Sequence, residues 1–229
     1  MKDCLISFSS KGREDYNAWL LKMLDSAIDH WHGDYLIYSP DHELNEYKGI
    51  KINHEMPAGF IPHSEMPYQF KFKLIEHARS MGYDRVVWLD TSIRINKNLT
   101  PLFQDEGVTV FHNLGHDLYK YISDDAVSLL GVSENELKNI PQIWGGALLF
   151  DFTKWNCKQV FGDIYEFSLN GSFKNGTSSR EGFIGHRHDQ AVMSVLTYKR
   201  CDLMPYGKIV CKQHADNLEY GNDIYLIYE

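Results

Sequence analysis

The 229-residue chain reads as an α/β protein built around a buried, mostly parallel sheet. Three observations predict this class. Arg85–Leu89, R-V-V-W-L, is a bulky run without polar alternation, the pattern of a strand covered on both faces. The chain also opens as strand, helix, strand, as α/β units do. Finally, hydrophobic residues make up 43% and aromatics 14%, enough for a sizeable core and too much for a disordered chain.

The elements follow in order. Cys4–Phe8 is an apolar strand that runs into Ser9 and Ser10. Within 13–30, Trp19, Leu20, Met23, Leu24, Ala27 and Ile28 recur at helical spacing. Tyr35–Tyr38 is the second strand, closed by Ser39-Pro40-Asp41. Residues 43–66 are polar loop with a short strand piece near Gly49–Ile52. A helix over 68–81 follows, with Pro67 suited to its first turn and Gly82 to its end. Its apolar stripe is Phe70, Leu74, Ile75 and Ala78, and Lys71 and Lys73 are read as lying off it, with a solvated face the simpler reading of Lys71. After the central strand come a short turn near Pro101 and a strand at Val108–Phe111. Short helices are expected at 117–122 and 133–137, the latter with a Ser133/Glu136 capping box. Trp144–Phe152 is a strand entered through Gly145-Gly146, and 153–168 is a helix. Residues 169–185, rich in glycine and small polar residues, read as a mobile loop. A helix opens at His186-Arg187-His188-Asp189-Gln190, 203–210 is strand-like, and Ile224–Tyr228 is the last strand.

Composition excludes several classes. The formal net charge of -8 disfavours a bulk-electrostatic grip on nucleic acid or anionic membrane. The four cysteines form no C-x-x-C pair, and as scattered thiols they suit a reducing compartment. No apolar run approaches the ~20 residues of a membrane span, and the N-terminus lacks a signal-peptide core, so a cytoplasmic location is expected. The N-x-S/T sequons at Asn98, Asn170 and Asn175 then read as chance matches. No G-x-G-x-x-G and no Walker loop is present, which removes the main support for dinucleotide and P-loop classes.

The site candidates start at Asp90. A carboxylate leaving the C-terminal end of a buried strand lies where open α/β sheets bind ligands. The plainer reading is that Asp90-Thr91-Ser92 only opens a turn. Three segments, W-L-D-T-S, W-G-G-A-L-L-F-D and H-D-Q-A-V-M, stand roughly 50 residues apart in that order. Together they resemble nucleotide-sugar glycosyltransferases of the GT-A fold, nearest to retaining enzymes of the glycogenin and bacterial galactosyltransferase kind. The resemblance covers most of the chain in layout and is specific only in these segments. It implies one domain over 1–229, with a nucleotide-binding half over about 1–95 and a donor-sugar and acceptor half over about 96–229.

The resemblance also implies roles. Asp90 would be the first carboxylate of a D-x-D motif holding Mn2+ or Mg2+ against the diphosphate of a nucleotide sugar, with Ser92, a weaker ligand, standing where the second aspartate belongs. A serine adds an oxygen ligand but no charge. His214 is the candidate late metal ligand, with Asp216 as the alternative. Phe8, Ser9, Lys73 and Thr91 would join Asp90 around the nucleotide, expected to be a uridine diphosphate. Asp189 and Gln190 match the family's D-Q pair beside the donor sugar, with N-capping the ordinary alternative for Asp189. Trp144, Gly145, Gly146 and His188 would line the donor-sugar and acceptor cleft. His186 and His188 could instead bind metal as an H-x-H pair. The acceptor, a glycan or another molecule, is left open. A sugar nucleotidyltransferase and a degenerate, non-catalytic nucleotide-sugar-binding module are the competing readings.

Overall fold

The computed structural model describes residues 1–10, 16–204, 208–211 and 224–228. His214 and Asp216 lie outside the described residues. The opening unit is β1 (Asp3–Phe8), α1 (Tyr16–His30) and β2 (Asp34–Tyr38), with β1 and β2 parallel. The short strands β3 (Glu46–Tyr47) and β4 (Ile50–Asn53) add at one edge. Helix α2 (Gln69–Ser80) leads into β5 (Arg85–Leu89), which pairs parallel with β1. β6 (Ile93–Ile95) follows. The second half contributes β7 (Val108–Asp117), helices α3 (Asp124–Leu130) and α4 (Glu134–Leu137), β8 (Pro141–Asp151), helices α5 (Trp155–Leu169) and α6 (His188–Thr197), and strands β9 (Leu203–Met204), β10 (Ile209–Cys211) and β11 (Leu226–Tyr228).

The main sheet runs β3-β4-β2-β1-β5-β8-β7-β9, and a small sheet runs β10-β11-β6. β8 is antiparallel to both β5 and β7, so the parallel block meets a reversed strand directly beside β5. The sheet is covered on both sides. Val86 and Trp88 pack into a layer with Phe72, Leu74, Phe150 and Phe161, whereas Val87 and Leu89 pack into the opposite layer with Leu20, Leu24 and Leu149. Successive strand side chains point to opposite faces, so a strand apolar at every position needs a layer on each side.

Several boundaries differ from expectation. The stretch 203–210 is not one strand: β9 joins the main sheet and β10 the small one. Pro67 precedes α2, whose N-cap is Tyr68 in the left-handed region at φ 61°. Within 117–122 there is a single 3₁₀ turn, Leu118–Lys120, because β7 runs on to Asp117 and pairs there with Pro141. The Ser133/Glu136 capping box forms.

Residues 170–187 form a packed strap. Phe173 is fully buried against Phe72, with ring centroids 5.4 Å apart. Asp124 accepts hydrogen bonds from Ser178 Oγ and Ser179 N and pairs with Arg180 at 2.9 Å. His186 donates from Nε2 to Ser172 O at 2.9 Å and accepts at Nδ1 from Ser123 N at 3.2 Å. The glycines of this stretch are thus outweighed by its buried and hydrogen-bonded side chains. Burying one Phe side chain stabilises by about 1.5–3 kcal/mol, which offsets much of the ordering entropy of its neighbours.

Candidate active site

The site forms where β5 ends. Asp90 N donates to Gly146 O at 2.8 Å, and Ile93 N donates to Asp90 O at 3.0 Å, so the chain turns sharply after leaving the sheet. Asp90 therefore opens a turn and also presents its carboxylate. Trp88, two residues earlier on the same face of the strand, donates from Nε1 to Asp90 Oδ1 at 2.8 Å and fixes its orientation.

Behind Asp90 lies Lys71, only 2% exposed. Its Nζ stands 3.3 Å from Asp90 Oδ1 and 3.1 Å from Asp189 Oδ2, and it donates to Gly145 O at 2.9 Å. The ammonium also faces the rings of Tyr68 at 4.9 Å and Trp88 at 5.6 Å. Burial alone would depress the lysine pKa, but Asp189 and Asp90 outweigh it and hold the pKa above its ordinary value. Burial raises the pKa of Asp90, against the opposing pull of Lys71 and the Trp88 hydrogen bond. One ammonium between two carboxylates leaves the group one charge negative.

This contradicts the placement of Lys71 on a solvated face. Lys71, Leu74, Ile75 and Ala78 stand at i, i+3, i+4 and i+7, so Lys71 sits within the apolar stripe of α2. The signal was present in the spacing and was masked by the residue type. Lys73, expected at a phosphate, points elsewhere: its Nζ lies about where a side chain on Gly59 would be, 3.1 Å from the Cβ position.

A cavity of about 580 Å³ opens over this floor, lined by Phe8, Ser10, Lys71, Asp90, Thr91 and Ser92 and walled by the aromatic rings of Tyr16, Trp19, His63, Tyr68, Phe70 and Trp88. The structure thus brings Phe8, Asp90, Thr91 and Ser92 together around one cavity. It does not bring Ser9, which is buried with its hydroxyl donated to Asn17 Oδ1 at 2.5 Å. Side chains alternate along the strand end, so Phe8 and Ser10 face the cavity and Ser9 turns away. Tyr68, His63, Tyr16 and Trp19 were missed because no local pattern separates a cavity wall from a core aromatic.

Asp189 is 1% exposed and lies behind Lys71, not on the cavity wall. It is the second residue of α6, whose N-cap is Arg187 with no side-chain capping bond, so Asp189 does not act as the N-cap. Gln190 Oε1 accepts from Asn113 Nδ2 and from Arg187 at 3.4 Å each. Gly145 and Gly146 do not line this cavity. A Cβ on Gly145 would lie 2.9 Å from Gln190 Cγ and 3.0 Å from Asp189 Oδ2, and one on Gly146 would enter the Trp144 ring. The two glycines let the α6 start and the Trp144 ring close onto β8 and leave two carbonyls free for Lys71 and Asp90. His188 donates from Nδ1 to Phe173 O at 2.8 Å and backs Tyr68, with ring centroids 5.5 Å apart. Both nitrogens of His186 are engaged as well, so the histidine pair staples the strap.

Among the described residues no three His, Cys, Asp or Glu side chains converge as a metal site. Asp90 Oδ1 is engaged by Trp88 and Lys71, which leaves its other oxygen and the Ser92 hydroxyl at the cavity. Two oxygens beside a net negative group suit a hard cation but do not complete its coordination.

No protein-family model and no curated protein sequence matches the chain. A solved structure does: WbbM, a bifunctional glycosyltransferase, in its apo form, has a TM-score of 0.61 at 13% identity, over 99% of this chain and 45% of that one. The chain thus spans less than half the length of that protein. No described helix is long and apolar enough to cross a membrane. The sheet order and this likeness together show a Rossmann-like fold of the GT-A glycosyltransferase type.

Proposed function

We propose that the chain is a glycosyltransferase that takes its sugar from a nucleotide sugar, with a uridine diphosphate sugar as the donor. The observation that carries this reading is the position of Asp90: at the C-terminal end of the central strand, at the floor of the aromatic-walled cavity, and joined to Asp189 through Lys71. The likeness to WbbM supports it at the level of fold.

In this proposal the aromatic wall takes the base and ribose, and the diphosphate lies over Asp90. The floor is one charge negative, so an anionic diphosphate is repelled unless a cation accompanies it. Asp90 and Ser92, completed by His214, would hold manganese or magnesium, which supplies positive charge to the leaving diphosphate. Lys71 keeps Asp90 ionised and oriented. Transfer breaks the bond between the anomeric carbon and the diphosphate oxygen and forms one to an acceptor hydroxyl, whose proton leaves to the departing phosphate. Gln190 places its amide beside the sugar, and Asp189 acts through Lys71. The match to the D-Q pair favours retention of anomeric configuration.

A thermal-shift screen of nucleotide sugars, with and without manganese, tests this directly, because a ligand of the folded state raises its stability by mass action. A uridine diphosphate sugar with manganese should raise the melting temperature and release free nucleotide on incubation with acceptor sugars. Absence of any shift across the whole panel contradicts the reading. A shift without any nucleotide release identifies a binding module that does not transfer.

A further inference from the structure

We infer that Tyr68 is a further substrate-contacting residue of the large cavity, its hydroxyl donating a hydrogen bond to an oxygen of the donor's diphosphate. This rests on the nucleotide-sugar reading above. Tyrosines line the large cavity and also a small cleft. Tyr228 stands in the cleft, which has a volume of about 120 Å³, with His112, Asn113 and Trp144, and its ring packs on Trp144 at 5.5 Å. In the large cavity Tyr16 packs edge-on to Trp19, with ring centroids 5.6 Å apart. Tyr68 differs from both in lying against the charged floor. Lys71 Nζ faces its ring at 4.9 Å and stands 3.3 Å from Asp90 Oδ1, so Tyr68 and Asp90 share one ammonium and line one cavity.

The backbone at Tyr68 is not one that stability alone selects for this residue. Tyr68 is the N-cap of α2 at φ 61°, in the left-handed region, and its side chain makes no capping bond. Glycine and asparagine take that conformation most readily, and serine, threonine, aspartate and asparagine cap best. A bulky ring is out of place on both counts, and residues held in such conformations by their surroundings cluster at ligand sites. His188, itself at φ 37°, stacks on the Tyr68 ring at 5.5 Å, and His63 meets it edge-on at 4.8 Å. Two imidazoles and an ammonium hold the ring, so its hydroxyl is fixed before a ligand arrives.

A phenylalanine would serve the wall, the stack and the contact with the ammonium as well. Tyrosine adds only the O–H, which makes no hydrogen bond with any described residue and belongs to a half-buried side chain on the cavity wall. A half-buried hydroxyl without a protein partner gives up hydration for no return unless a ligand accepts from it. Burial first, and then the Asp189 charge, hold the phenol above its ordinary pKa, which keeps it a donor. In transfer the bond from the anomeric carbon to the diphosphate oxygen breaks, and its electron pair stays on the diphosphate. Tyr68 keeps its proton and donates to the diphosphate throughout, so the growing charge meets a fixed donor.

The test compares uridine with uridine diphosphate, each with manganese, on the wild-type chain and on Tyr68→Phe, which keeps the ring and removes only the O–H. Trp19 and Trp88 line the cavity, so their fluorescence follows the titrations. The wild type should bind the diphosphate more tightly than the nucleoside. In Tyr68→Phe that preference should shrink about tenfold or more, the effect of one hydrogen bond to a charged group. The preference is a ratio within each protein, so a general loosening of the variant cancels from it. An unchanged preference, whether or not both ligands weaken together, overturns the inference and leaves the donor reading standing. If the wild type itself does not prefer the diphosphate, the donor reading fails and the inference falls with it.

Discussion

The large cavity and the small cleft are built on opposite electrostatic plans. The floor of the large cavity is made of buried charge: Lys71 at 2% and Asp189 at 1% exposure, with Asp90 at the mouth. The cleft is made of partly buried polar side chains beside aromatic rings, His112 and Asn113 with Trp144 and Tyr228. Charges in a dry setting tolerate little displacement, since each depends on its partner to offset desolvation. Partly solvated polar groups at a rim tolerate more. Substitutions of the buried Lys71 and Asp189 should therefore be felt in stability and in function together, whereas substitutions at the cleft should leave stability nearly unchanged.

Lys71→Met gives the largest expected effect. It leaves the Asp189 carboxylate buried without a counter-charge and should destabilise by about 3–5 kcal/mol in urea unfolding. Lys71→Met combined with Asp189→Asn removes the orphaned charge and should recover most of that loss. If the double variant is no more stable than the single one, the ion pair is not what the floor depends on.

The strap behind the floor supplies the next test. Burial lowers the pKa of His186 to about 4. A histidine held below its ordinary value contributes stability that is complete above its unfolded pKa and is lost as the pH falls through its folded one. Unfolding experiments from pH 7 downwards should therefore show a loss of up to about 3 kcal/mol between roughly pH 6.5 and 4, and His186→Gln should flatten that part of the profile. An unchanged profile in the variant assigns the acid sensitivity to other groups.

Gly145→Ala comes third. The added Cβ meets Gln190 Cγ at 2.9 Å and the Asp189 carboxylate at 3.0 Å, so α6 must shift. The expected cost is about 1–3 kcal/mol, with a larger proportional loss in transfer rate than in donor affinity. The smallest effect on stability belongs to Asp90→Asn. Its raised pKa means that the ionised form is less favoured in the fold than in the unfolded chain, and that stability from this group grows as the pH falls. Removing the charge should leave thermal stability equal or slightly higher while donor binding is lost, the pattern of a residue kept for function at the expense of stability.

How far the sequence could be read follows from the same contrast. Arg85–Leu89 and the opening strand, helix and strand were legible because burial on two faces leaves a local pattern. Asp90 was legible for the same reason, as the one acid at the end of a dry run. Lys71 was not, because a charged residue type masks a spacing that places it within the apolar stripe of α2. Gly145 and Gly146 were legible as positions without side chains, but their partners turned out to be α6 and Trp144, which only the three-dimensional packing reveals. The cleft was almost wholly illegible. It joins the far end of β7, the start of β8 and the last strand, across more than a hundred residues between His112 and Tyr228, and nothing local marks His112 or Asn113 as lining a site.

The most direct test of the account is calorimetry of uridine diphosphate with manganese, on the wild-type chain and on Asp90→Asn. The account predicts manganese-dependent binding to the wild type and at least about tenfold weaker binding, near 1.4 kcal/mol, to a variant that melts no lower. Equal affinity for both proteins would contradict it, because the diphosphate would then lie away from the acid at the end of β5.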